Sequence, residues 1–191
     1  MQTVKHRQTA YFLYDSRIER FDLESRNWLA SVALPAVGAK SMATSDRGVF
    51  VAIGTSIRRF DPDLANRTLL TTAARPVARL LLDDNLLIAT QTGDGLTALF
   101  HPLDGGSPVQ SNLANSTWDL RGAASVMPIG NKIFGRSTVR GQAEIVQVTY
   151  QNAGGLIGFM DSPYTSGALP LAARTWVMPG ETRVVDNSGT V

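Results

Sequence analysis

The sequence predicts an all-β protein: a β-propeller-type array of about four four-stranded antiparallel blades, open to being part of a larger ring. Three observations predict it. The phrase Ile18-Glu19-Arg20-Phe21-Asp22 returns as Ile57-Arg58-Arg59-Phe60-Asp61, 39 residues later. A period near 40 is the mark of a repeat architecture built from one supersecondary unit at a time. Helical spacing of apolar residues is not sustained anywhere; short apolar runs rich in β-branched residues alternate with Gly, Asp, Asn and Pro. These runs also sort into four classes that follow one another in a fixed order.

Taken in order, residues 1–10 read as a flexible N-terminal tail, since Met1 to Gln8 has no apolar stretch. The first cycle then supplies strands at 11–15, 18–21 and 28–34. The second opens at 39–44 before the turn Ser45-Asp46-Arg47-Gly48 and continues at 49–53, 57–60 and 68–72. The third has 77–82, the turn Asp83-Asp84-Asn85, then 86–90, 97–100 and 109–113. The fourth has 123–129, Gly130-Asn131, then 132–136, 145–148 and 156–160. A further hairpin follows, 172–178 and 183–186, around Pro179-Gly180-Glu181. The blades therefore fall at about 11–38, 39–76, 77–122 and 123–170, with strands of another at 171–191. In this alignment Phe60, Phe100 and Val148 share a phase. The spacing grows from 40 to 48, and residues 137–142 and 115–122 hold the extra length.

Each class has a physical role in a meander of four strands. The first is rich in small residues, such as Ala39, Ser41 and Ala43, which suits crowded innermost strands. The second, as in Val49-Phe50-Val51-Ala52-Ile53, is apolar on both faces, as a strand between two sheets must be. The third alternates more, with Arg58 and Arg59 between Ile57 and Phe60. A β-sandwich gives no reason for a repeat near 40, and solenoids repeat at shorter periods. The first and last strands share a phase, which leaves three routes to closure: 172–178 pairing with 11–15, blades beyond Val191, or two chains in one ring. Until closed, such an array exposes strand edges and should self-associate or bind a protein partner.

Composition narrows the function. Eighteen basic residues nearly balance 16 acidic ones, and no Lys/Arg block gives a nucleic-acid footprint. The absence of Cys removes disulfides, thiolate nucleophiles and cysteine metal sites. The N-terminal residues do not read as a signal peptide, and no run approaches a membrane span.

Ser16-Arg17-Ile18-Glu19-Arg20-Phe21-Asp22-Leu23 followed by Trp28-Leu29, with Val49 to Ile53 leading into Ser56-Ile57-Arg58-Arg59-Phe60-Asp61, resembles the repeats of bacterial quinoprotein-like and YVTN-type β-propellers. The resemblance covers most of the chain as a fold, and its motifs fill residues 16–34 and 49–61. It implies a propeller in a bacterial setting, periplasmic or at the cell surface. It transfers no catalytic residue, because the docking run of the pyrroloquinoline quinone enzymes is missing.

The candidate sites are few. His101, Asp104 and Ser107 lie within seven residues of one another, too local for a triad held by separate segments. Asp61-Pro62-Asp63 with Asn66, and Asp83-Asp84-Asn85, offer oxygen ligands but lack calcium-loop spacing. Asp, Asn and Pro are also turn formers, and Asp22 and Asp61 recur where a turn begins. Trp28, Trp118 and Trp176 fall at different phases, as packing residues do. Arg17, Arg20, Arg58 and Arg59 read as a charged blade edge. Gly93-Asp94-Gly95 and Gly105-Gly106 read as hairpin turns and not as phosphate loops, since no helix follows. No residue is assigned a catalytic, cofactor or metal role. The expectation is a non-enzymatic binding scaffold with no cofactor. The alternative is a propeller glycoside hydrolase or lyase with carboxylates at the channel mouth.

Overall fold

The computed structural model describes residues 1–93, 96–113, 124–127, 130–136, 145–151, 155–161, 175–178 and 184–186. Every regular element among them is a β-strand. The strands form four four-stranded antiparallel sheets and one hairpin, each sheet a meander of consecutive strands. The stretches expected to hold the extra length, 115–122 and 137–142, lie outside the described residues, as does Trp118.

The chain divides into two compact units, Met1–Leu80 and Leu81–Val191. In the first, β1 (Gln2–His6), β2 (Thr9–Leu13), β3 (Arg17–Asp22) and β4 (Asn27–Ala33) make one sheet. The second sheet is β5 (Ala39–Ser45), β6 (Gly48–Ile53), β7 (Ser56–Phe60) and β8 (Arg67–Thr72). The expected flexible tail is therefore a strand: Gln2 to His6 pair with Leu13 to Thr9 through the two-residue turn Arg7-Gln8. The first sheet is complete, and the chain opens on a first-class strand and not in the phase of its last one.

The two sheets pack through one core. Tyr11, Leu13 and Ile18 of the first meet Met42, Val49, Val51 and Phe60 of the second. Tyr11 also donates its hydroxyl to the Pro62 carbonyl at 2.7 Å, and burial pushes its phenol pKa up. A second set of bonds joins neighbouring first strands. Met42 donates its backbone N–H to Gln2 Oε1, and Gln2 Nε2 donates back to the Met42 carbonyl, both at 2.8 Å. One repeat on, the Leu80 N–H donates to Ser41 Oγ at 3.0 Å. Counted back from the tight turn, Met42 and Leu80 are equivalent, as are Gln2 and Ser41. The passage between sheets repeats as well: Leu34 N–H donates to Ser16 O, and Ala73 N–H to Thr55 O, at 2.8 and 2.9 Å.

The second unit holds most of β9 (Val77–Asp83), with β10 (Leu86–Gln91), β11 (Leu96–Pro102) and β12 (Val109–Leu113) in one sheet. Next come β13 (Ser125–Met127), β14 (Lys132–Arg136), β15 (Ile145–Tyr150) and β16 (Leu156–Asp161). Then follows the hairpin β17 (Thr175–Val177) with β18 (Val184–Asp186). Leu86, Ile88, Leu96, Ala98 and Phe100 pack on Ile133, Val146, Val148 and Tyr150. Ser125 Oγ donates to the Thr175 carbonyl, and Thr175 Oγ1 to the Phe134 carbonyl at 2.9 Å, so polar bonds between sheets recur here.

The register corrects the third cycle. The residue two after each tight turn pairs with Phe21 in the first sheet, Phe60 in the second, His101 in the third and Val148 in the fourth. Leu23, Leu103 and Tyr150, two residues further on, all donate their N–H to the last turn residue, which confirms the alignment. His101, not Phe100, is thus the counterpart of Phe60. Phe100 pairs with Ile88 and points to the opposite face. Side chains alternate faces along a strand, so a slip of one residue reverses the face.

Candidate functional site

Two places bring together side chains capable of recognition, one in each unit.

In the second unit three turns converge. Asp83, Asp84 and Asn85 come from the β9–β10 turn, Pro102 and Asp104 from the end of β11, and Asn131 from the β13–β14 turn. With Leu86 they line a cleft of about 320 Å³. Asp84 and Asn131 adopt positive φ, at 43° and 52°, which Asp and Asn tolerate better than most residues. Tyr150 donates its hydroxyl to Asp83 Oδ2 at 2.6 Å, which fixes that carboxylate against the next sheet. Its oxygen-rich lining suits a cation or a polyol. Among the described residues, however, no three Asp, Glu or His side chains are close enough to hold one metal ion.

In the first unit, strand alternation puts Phe12 of β2, Phe21 of β3 and Trp28 of β4 on one face. Both phenylalanine ring centroids lie 5.2 Å from Trp28, one tilted and one edge-on. Such inclined contacts suit the ring quadrupoles. Trp28 remains 59% exposed, and the phenylalanines are half-buried. The cluster is hidden in the linear sequence, where Trp28, Trp118 and Trp176 share no phase. The signal was present in the pairing of Phe21 with Trp28 across a tight turn.

The remaining candidates are spent on local structure. Asp22 accepts from the Glu24 N–H at 2.9 Å and the Ser25 hydroxyl at 2.8 Å; the Ser25 bond first, then the backbone bond, lowers its pKa. Asp61 accepts from the Asn66 amide at 2.7 Å and Asp63 from the Ala65 N–H at 3.0 Å, within the same turn. Arg17 is held by Glu19 at 2.8 Å and lies 4.5 Å over the Tyr14 ring. Arg59 donates to the Arg47 carbonyl at 2.8 Å. Arg7 and His6 both approach Asp46, at 2.7 and 3.0 Å. His101 Nδ1 is sequestered without a hydrogen-bond partner, while Asp104 and Ser107 are exposed, so the three do not form a relay. Burial lowers the His101 pKa. Trp176 pairs in register with Val185, and Asp94 and Gly95 lie outside the described residues.

No known protein family matches the sequence, and no curated protein matches it. Solved structures do match its fold. Hydrazine synthase of Kuenenia stuttgartiensis aligns with a TM-score of 0.64 and 10% identity, over 81% of this chain and 46% of that one. The computationally designed protein Ika8 aligns at 0.66 and 14%, over 98% and 55%. The β-propeller domain of Cps50 (Swd1) from Myceliophteria thermophila aligns at 0.63 and 13%, over 97% and 64%. At such low identity the likeness shows the fold alone, and that fold is the β-propeller. The chain spans about half to two thirds of the length of these structures.

Proposed function

We propose that this β-propeller-type chain is a non-enzymatic binding scaffold that works through protein contacts as part of a larger propeller. The reading follows the resemblance of its Arg-Phe-Asp repeats to bacterial quinoprotein-like and YVTN-type propellers, which implies a periplasmic or cell-surface setting. The observation that carries it is the exposed aromatic face: Trp28, 59% exposed, braced by Phe12 and Phe21. Exposed Trp anchors on a rigid sheet are the residues that dominate protein interfaces. The aspartates of the first unit fit the same reading, since Asp22, Asp61 and Asp63 are engaged as turn acceptors.

The cleft of Asp83, Asp84 and Asp104 favours one rival, a propeller glycoside hydrolase or lyase. Paired carboxylates can serve as acid and base in such chemistry. A panel of aryl glycosides and uronate polymers separates the two. The scaffold reading expects no turnover above the buffer blank. Turnover abolished by Asp104→Asn, with folding intact by circular dichroism, would overturn it.

A further inference from the structure

Arg20 and Arg59 hold the same place in successive repeats, yet their side chains end differently. Arg59 Nε donates to the carbonyl of Arg47, the last residue of its tight turn, at 2.8 Å. In the first repeat the matching carbonyl, that of Gln8, accepts the Leu23 N–H at 2.7 Å. Pro62 stands at the Leu23 position of the second repeat and has no N–H to give, so there the carbonyl takes the guanidinium instead. Arg20 Nε is sequestered from solvent with no hydrogen-bond partner. A buried charged donor in that state calls for an acceptor.

Register sets two more arginines around it. Arg20 pairs with Tyr11, and Tyr11 packs on the second sheet, so Arg20 projects toward that sheet as well. On the facing side Arg58 pairs with Val51 and Arg67 with Phe60, and both partners belong to the same core. Counted from the tight turns, Arg67 lies one row before Arg20 and Arg58 one row after it, those two rows being about 7 Å apart along the sheet. The Tyr11 hydroxyl reaches the Pro62 carbonyl, which sets the row of Tyr11 and Arg20 beside the row of Phe60 and Arg67.

Among the described residues, none of the three arginines has an ion-pair partner. The neighbouring acids are engaged: Asp61 with Asn66, Asp63 with the Ala65 N–H, and Glu19, on the far face of the first sheet, with Arg17. Guanidinium groups gathered without a matching carboxylate repel one another. An oxyanion between them removes that repulsion and accepts from their N–H forks.

We infer that Arg20, Arg58 and Arg67 form a binding site for an oxyanion, the phosphate, sulfate or carboxylate group of a small ligand, in the gap between the first and second sheets. The site lies inside one unit and is independent of the aromatic face and its protein contacts.

The test titrates phosphate, sulfate and acetate separately into the isotope-labelled full chain, with chloride adjusted to hold ionic strength constant. The Arg20 Nε–Hε cross-peak, identified by its loss in Arg20→Lys, should shift saturably, with half-saturation at about 1 mM for the matching anion. The order of the three anions tells a phosphate or sulfate ester from a carboxylate, and saturation by any of them supports the site. Arg67→Gln, at an exposed position, should weaken binding about tenfold with an unchanged circular dichroism spectrum. Lys5→Gln removes one charge from the opposite face of the first sheet and should change the affinity by less than about twofold. A shift that stays linear to about 50 mM of every anion, or equal affinities in Arg67→Gln and Lys5→Gln, overturns the site. So does an Arg20 cross-peak that moves with Asp63→Asn and with no anion, since Asp63 is then the acceptor.

Discussion

Removing the polar clasps between first strands should loosen the first unit far more than their small size suggests. Ser41 is fully buried, and its hydroxyl accepts the Leu80 N–H at 3.0 Å. Ser41→Ala deletes one oxygen and leaves that N–H without its acceptor. A buried donor left unpaired costs about 1–3 kcal/mol, against about 1 kcal/mol for a hydrogen bond whose groups regain water. The expected loss is therefore about 2 kcal/mol. Gln2→Met keeps the chain length but breaks two bonds of 2.8 Å to Met42, and should also cost about 2 kcal/mol. Because Ser41 and Met42 are adjacent on β5, the double variant should depart from additivity by about 0.5 kcal/mol or more. Trp28 is the only tryptophan in residues 1–80, so Trp118→Phe with Trp176→Phe gives a background whose fluorescence reports this unit. Urea unfolding should then show a lower midpoint at unchanged m, and Tm should fall by about 4–8 °C for each single variant. Ser31→Ala, on the exposed strand β4, is the control and should stay within about 0.5 kcal/mol. A Ser41→Ala loss as small as that control would refute the claim that these bonds are sequestered from water.

Three further outcomes are expected. Gly48 has φ of 138°, and a Cβ there would collide with the Phe60 carbonyl oxygen, so Gly48→Ala should cost about 2 kcal/mol or more by thermal melting. Gly54, at φ of 59° with nothing within 4 Å, needs only its left-handed backbone, so Gly54→Ala should cost about 1 kcal/mol. Burial lowers the His101 pKa, so the unfolded chain takes up a proton first as pH falls. Stability should therefore decline as pH drops through the ordinary histidine range near 6.5 and level off below the folded-state pKa. His101→Phe, which restores the residue found at Phe21 and Phe60, should flatten that slope in urea titrations at a series of pH values; an unchanged slope would show that another group causes it.

Much of the fold was legible because turn chemistry and apolar runs agree along the chain. Asp46-Arg47, Asp84-Asn85 and Gly130-Asn131 each close a hairpin where expected, and the apolar runs on either side became strands. The strand at Gln2 to His6 was not legible, because Val4 is the single apolar residue among the three that face the next sheet; Gln2 bonds to backbone and His6 lies against Asp46. The third cycle was misread by one residue. Phe100 matches Phe60 in side chain, but His101 matches it in register, because the β10–β11 connection is longer than the two-residue turn between β6 and β7. The Asp83, Asp84, Asp104 and Asn131 cleft was invisible, since it gathers residues from three turns that only the packing of two sheets brings together. The aspartate turns were legible because an Asx bond is local and needs no tertiary partner.

The clasps also bear on how the sheets keep their order. Apolar faces are nondirectional, and Val49, Val51 and Phe60 would pack against any comparable aliphatic surface. Gln2 adds a donor and an acceptor aimed at one residue's N–H and C=O, and Ser41, Ser111 and Ser125 each add a single bond to a neighbouring strand's backbone. A sheet displaced by one residue along its neighbour would keep most of its apolar contact but leave the buried Ser41 and the part-buried Gln2, Ser111 and Ser125 without these partners. A buried group left unpaired costs about 1–3 kcal/mol, a sizeable part of a folding stability of about 5–15 kcal/mol. The apolar faces therefore supply cohesion, and the polar side chains between the strands supply register.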